Sequence, residues 1–160
     1  NMALTKINNN TLSAITGLPA GVGGKVLQIV NSKIATEVTS SSTSLADTGL
    51  TASITPSSTS SKILISVHEN SPVKLDNSDI EIKLFRGTTE LSRITGFTLY
   101  TGTSLQLYGQ TVSTSYLDTP STTSSTTYKT QFRRPDGSGT VRLRYPGEST
   151  ITLMEIQGWL

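Results

Sequence analysis

Within DIEIKLFRG (79–87), residues 79–84 alternate charged and apolar positions without a break. Ile80, Ile82 and Leu84 fall on one side, and Asp79, Glu81 and Lys83 on the other. A period of two marks a strand with one buried face, so the charged side is expected to be wet. KILISVHE (62–69) sets Ile63, Ile65 and Val67 against Leu64, Ser66 and His68, and TVRLRY (140–145) sets Val141, Leu143 and Tyr145 against Arg142 and Arg144. Ala52 and Ile54 share a face before a turn at Pro56, and KVLQIVNSKIATEV reads as two short strands parted at Asn31-Ser32. RGTTELSRIT is a hairpin around Gly87. In RPDGSGTV, Pro135 presets φ, Asp136 caps, and Gly137 and Gly139 accept positive φ. A strand ending near Leu117, a polar loop broken by Pro120, a strand from about Thr126 to Arg134 and a closing STITLMEIQ complete the series. Roughly eight to ten short strands and no convincing helix predict an all-β chain, an antiparallel β-sandwich or jelly roll.

The final strand breaks the one-sided pattern. Ile151 and Leu153 are apolar on one face, Met154 and Ile156 on the other. A strand with two apolar faces is covered on both sides, and with Trp159 just beyond it these residues are expected to form a trimer interface. The opposite terminus lacks strand patterning. Leu4, Ile7, Leu12, Ile15 and Leu18 recur at wide intervals around Asn8, Asn9 and Asn10, ahead of Pro19 and the glycines at 21, 23 and 24. The asparagines and Gly17 oppose a helix. Residues 1–24 are therefore expected to be an extended attachment or trimerisation arm hinged onto a head domain at 25–160, with those five apolar residues making the assembly contacts.

Composition supports an all-β reading. The chain has 23 Ser and 27 Thr among 160 residues, with 34% hydrophobic and only 15% charged. Thr, Val and Ile are stiff at χ1 and suit a pleated surface. A net charge of +2 without clustered cations argues against a nucleic-acid partner. No run of about 18 apolar residues is present to span a membrane, and no continuous apolar segment follows Lys6 as a signal peptide would require. With no Cys, disulfides and thiol chemistry drop out, and burial between subunits is the expected substitute.

The chain is poor in convergent reactive groups, so no enzyme activity and no cofactor or metal are expected. His68, the one histidine, sits at a strand end, where it is either a lone base or ligand or simply solvent-facing. Asp79 and Glu81 share a face, as a glycosidase pair would, but an ordinary outward charged face is the reading that accounts for them. Asp76, Asn77 and Asp79 lack the order of a calcium loop. Two surfaces remain as recognition candidates. Lys129, Arg133, Arg142 and Arg144 are placed to share a face of neighbouring strands, either as a site for acidic glycans or as a solvated face paired with Glu155. Tyr100 and Tyr108, in the uncharged GFTLYTGTSLQLYG, suit sugar or protein recognition, or else cover an edge.

Taken in order, GKVLQIV, TGLTASITPSSTSSKILISV, KLFRGTTEL, LDTPSTTSSTTYKTQFR and STITLMEIQ resemble a family of small virion structural proteins of marine tailed bacteriophages, notably those of cyanobacterial and SAR11-type hosts. The resemblance covers about Lys25 to Gln157, and MALTKINNN is similar to the start of short fibre or head-appendage proteins. It implies a homotrimer of jelly-roll or β-sandwich heads at the virion surface, with no catalytic motif. The expected function is a fibre or spike head held to other virion proteins by its arm, with a host-surface glycan as candidate ligand. The alternative is a capsid decoration (cement) protein at threefold positions.

Overall fold

The computed structural model describes residues 25–96, 107–108 and 110–157. They form twelve strands: β1 (Val26–Ile34), β2 (Val38–Ser40), β3 (Ala46–Ile54), β4 (Lys62–Glu69), β5 (Val73–Leu75), β6 (Glu81–Arg86), β7 (Thr89–Thr95), β8 (Leu107–Tyr108), β9 (Val112–Asp118), β10 (Thr126–Arg133), β11 (Thr140–Leu143) and β12 (Ser149–Ile156). All pairings are antiparallel. A front sheet runs β1-β12-β4-β9, a back sheet β3-β10-β6-β7, and a short end sheet β2-β11-β5-β8.

Counting only the eight long strands, the first, eighth, third and sixth share the front sheet, and the second, seventh, fourth and fifth the back sheet. This is jelly-roll order. The other four strands each lie in a connection between front and back, so they gather at one pole as the end sheet. At the opposite pole β1 begins and β12 ends, where the Gln157 N–H donates to the Lys25 carbonyl at 2.9 Å.

The core lies between the two long sheets. Leu50, Ala52 and Ile54 of β3, with Leu84 and Tyr128, meet Ile63, Ile65 and Val67 of β4 and Ile151 and Leu153 of β12. A second cluster of Ile80, Ile82, Phe132, Val141 and Leu143 joins the end sheet to the sandwich. The expected alternations of β3, β4 and β6 therefore place their apolar sets inward.

Several expectations are corrected. β1 passes through Asn31-Ser32 unbroken, because both residues pair with β12, and the chain leaves the sheet only after Ile34. The charged side of β6 is not wet: Asp79 and Glu81 are buried, and Lys83 is largely covered. Glu81 keeps its outward side but lies beneath Arg133 of β10 and Arg93 of β7, long side chains that roof it over. The alternation at 140–145 stops at Leu143, because Arg144 adopts φ +65° and turns inward while Tyr145 is exposed. Gly137 has positive φ, as expected, but Gly139 does not; a Cβ at Gly139 would instead meet the Leu75 carbonyl oxygen at 2.0 Å. β12 is an inner strand of the front sheet. Ile151 and Leu153 are fully buried within the chain's own core, so they cannot serve a trimer interface, whereas Met154 and Ile156 are half-buried on the outer face. Trp159, and the arm residues Leu4, Ile7, Leu12, Ile15 and Leu18, lie outside the described residues.

Candidate functional site

The four cations expected on one face are divided among three environments. Lys129 and Arg133 project from β10 on the outer face of the back sheet, each neutralised: Lys129 Nζ is 2.8 Å from Asp47, and Arg133 Nε 2.5 Å from Glu81. Arg142 lies on the end sheet, 3.4 Å from Glu37, with its guanidinium 3.9 Å from the centre of the Tyr145 ring. Arg144 is in the interior. A basic patch built from all four does not form, because strand order sends β10 and β11 to different sheets. Glu155 is not a partner of these cations either.

Arg144 ties the end sheet to the sandwich. Its Nε donates to the Thr36 carbonyl at 2.6 Å, Nη2 to the Thr48 carbonyl, and Nη1 lies 3.3 Å from Glu69. Glu69 also accepts from the Thr130 hydroxyl at 2.5 Å and the Thr48 hydroxyl at 3.3 Å. Burial lowers the affinity of Arg144 for its proton, and the neighbouring Glu69 carboxylate works the other way. A second buried knot joins the Tyr128 hydroxyl to Asp118 at 2.7 Å, with Arg86 on the same carboxylate at 2.8 Å. Desolvation and the hydrogen bond to Asp118 both raise the Tyr128 phenol, keeping it neutral.

At the terminal pole, Glu155 is fully buried. Its Oε1 accepts from the Ser57 N–H at 2.7 Å and from the Ser57 and Ser61 hydroxyls at 2.6 Å, and its Oε2 from Gln28 at 2.6 Å. Burial pushes this carboxyl upward, but the four donors outweigh it and hold it at about 2. So weak a base does not activate a serine near neutral pH. The contacts instead fasten the 57–61 turn over the end of β12. Above it lies a shallow recess of about 280 Å³ between Lys25, Leu27, Ser57, Ser60 and Gln157.

The remaining candidates are dispersed. His68 stands exposed on the outer face of the front sheet, opposite Thr150 and Ser113. Asp79 accepts from the Ile80 N–H at 2.7 Å, and Asp76, at φ +60°, forms a turn whose Asn77 carbonyl accepts from Ser138 and Gly139. Among the described residues no group of three His, Cys, Asp or Glu is placed to hold a metal. Tyr108 pairs with Val73 at the edge of the end sheet, in one cross-strand row with Arg142. Tyr100 lies outside the described residues.

What sequence reasoning missed is an apolar outer face. Val26, Leu27, Ile29 and Leu117 are exposed, all on the front sheet. The signal was present as Leu27, Ile29 and Leu117 opposite to the inward positions of β1 and β9, but only the strand register places them together. No family model matches the chain, and no curated protein matches it in sequence.

Proposed function

We propose that this chain is a non-enzymatic surface protein of a bacteriophage particle, the head of a trimeric fibre or spike held to other virion proteins by its N-terminal arm. The observation that carries the reading is the polarity of the jelly roll. Both described chain ends leave at one pole, next to exposed apolar side chains, while the connections form a folded end sheet at the other. An anchored end and a presented end suit a particle appendage. The end sheet offers Arg142 stacked on the exposed Tyr145, a pairing suited to a host-surface glycan. The segment resemblance over Lys25 to Gln157 points the same way.

Electron microscopy of intact particles, with copy number from quantitative mass spectrometry, tests this. Expected are a few dozen copies at most, at fibre or spike tips, with the end sheet outward. Hundreds of copies on the shell at threefold positions would replace the fibre head with a decoration protein.

A further inference from the structure

The loop between β11 and β12 is pinned at both ends. Arg144 sits at φ +65°, in the left-handed region that a side chain disfavours. Its N–H donates to the Asn70 carbonyl at 2.9 Å, and its guanidinium is fixed in the interior by the Thr36 and Thr48 carbonyls and Glu69. Gly147, at φ +139°, packs so closely on Asn70 that a Cβ would meet its side chain at 2.7 Å. Between these two points stands Tyr145, 44% exposed. Arg142 lies against its ring at 3.9 Å and is itself tethered to Glu37, with only 15% of its side chain exposed. Five large apolar side chains are exposed among the described residues, and the other four are on the front sheet. Tyr145 stands apart from them at the end sheet, held there by a strained backbone. Such strain persists only where the surroundings over-determine it, and it gathers at sites that bind.

We propose that Tyr145 is the stacking platform for an uncharged pyranose sugar, with Glu37 and the tyrosine hydroxyl hydrogen-bonding the sugar's hydroxyl groups. The inference rests on the surface-protein reading above and names the class of glycan. A pyranose has one face of C–H bonds and a rim of hydroxyls, so it matches a single apolar ring set among polar groups. The exposed neighbours of Tyr145 are of that kind: Thr36, Glu37, Gly147 and Glu148. A protein partner would need further apolar surface around the ring to exclude water, and these residues do not supply it. The charges decide against an acidic glycan or a nucleic acid. Arg142 is paired with Glu37, Arg144 with Glu69, and Lys33 with Glu148. A carboxylate, sulfate or phosphate arriving at Tyr145 would therefore meet cations already neutralised, and the exposed Glu37 would repel it. Arg142 acts as a positioning residue, fixing the angle at which the ring is presented.

A glycan array carrying neutral, sialylated and uronic-acid oligosaccharides, probed with the labelled full chain, tests it. Dense display on the array compensates for the weak affinity of a single platform. Binding is expected to neutral oligosaccharides and to be weaker for the acidic ones. Tyr145→Ala, at an exposed position, should keep the unaltered melting curve and lose roughly five-fold or more of that signal, while Tyr145→Phe keeps most of it. Lys129→Ala, on the back sheet, should change nothing. Preference for acidic glycans, binding that survives Tyr145→Ala, or no binding to any neutral oligosaccharide would overturn the platform. Each of those results leaves the fibre head standing if particle images place the end sheet outward. Neutral-sugar binding that depends on Tyr145, with the end sheet buried against the particle, would instead keep the platform and overturn the fibre head.

Discussion

Glu155 shows how a single buried carboxylate organises one pole of the molecule. Hydroxyl, amide and backbone donors hold it, with no cation among them. Its folded pKa of about 2 lies below the ordinary value of 4.5, so its contribution to stability is fully present above about pH 4.5 and is lost as the pH falls through about 2. By linkage that contribution is on the order of 3 kcal/mol. Urea unfolding of Glu155→Gln at neutral pH is expected to show a loss of about 1.5–3 kcal/mol, the range for hydrogen bonds to a charged group. Its deficit against the unaltered protein should shrink between pH 4.5 and 2. A constant deficit across that window would rule out the ionised carboxylate as the source. Arg144 and Glu69 obey a different rule, since both charges are buried. Arg144→Met leaves an uncompensated carboxylate and is expected to cost about 3–5 kcal/mol, much of it recovered in Arg144→Met/Glu69→Met, because removing a buried pair is cheaper than breaking one. Equilibrium denaturation of the double-mutant cycle reads the coupling.

At the scale of elements, the turns divide by what surrounds them. Gly87 joins β6 to β7 at φ +55° with open space around it, whereas Gly137, at φ +80°, would drive a Cβ to within 2.0 Å of the Asn77 carbonyl oxygen. Gly87→Ala is expected to cost about 1–2 kcal/mol, the left-handed penalty alone. Gly137→Ala adds a clash with backbone and is expected to exceed about 3 kcal/mol, or to detach the 76–79 turn from the 136–139 turn. Comparing the thermal midpoints of the two variants checks the order. Both turns were legible in the chain, since glycine after Asp136 or between two alternating runs is a strong local signal. The neighbour that makes Gly137 the stricter position was not legible, because it lies about sixty residues away in the chain.

For the whole molecule, jelly-roll order places both described chain ends at one pole and the end sheet at the other, and the proposed function assigns attachment to the first. Deleting residues 2–24 is expected to leave a chain whose strands fold with an unchanged far-ultraviolet circular dichroism spectrum and cooperative melting. The same deletion should remove it from assembled particles, read by immunoblot of purified virions. Loss of folding would show that the segment belongs to the head itself, and normal incorporation would move the attachment elsewhere.

Local chemistry wrote the strands into the sequence. The inward sets Ile63, Ile65 and Val67, and Ile80, Ile82 and Leu84, follow from a period of two, and the Ser- and Thr-rich composition suits pleated backbone. Which face of a strand is wet, and which charges meet, depended on partners distant in the chain. Glu81 reads as exposed until Arg93 and Arg133 are set across from it by β7 and β10. The cations of β10 and β11 read as one patch until topology puts them on separate sheets. Ile151 and Leu153 read as interface until β12 is seated between β1 and β4. Alternation is a property of neighbouring residues, so sequence alone determined it. Register and strand order are properties of long-range pairing, so only the tertiary structure decided that Ile29, Met154, Leu64 and Leu117 stand in one row.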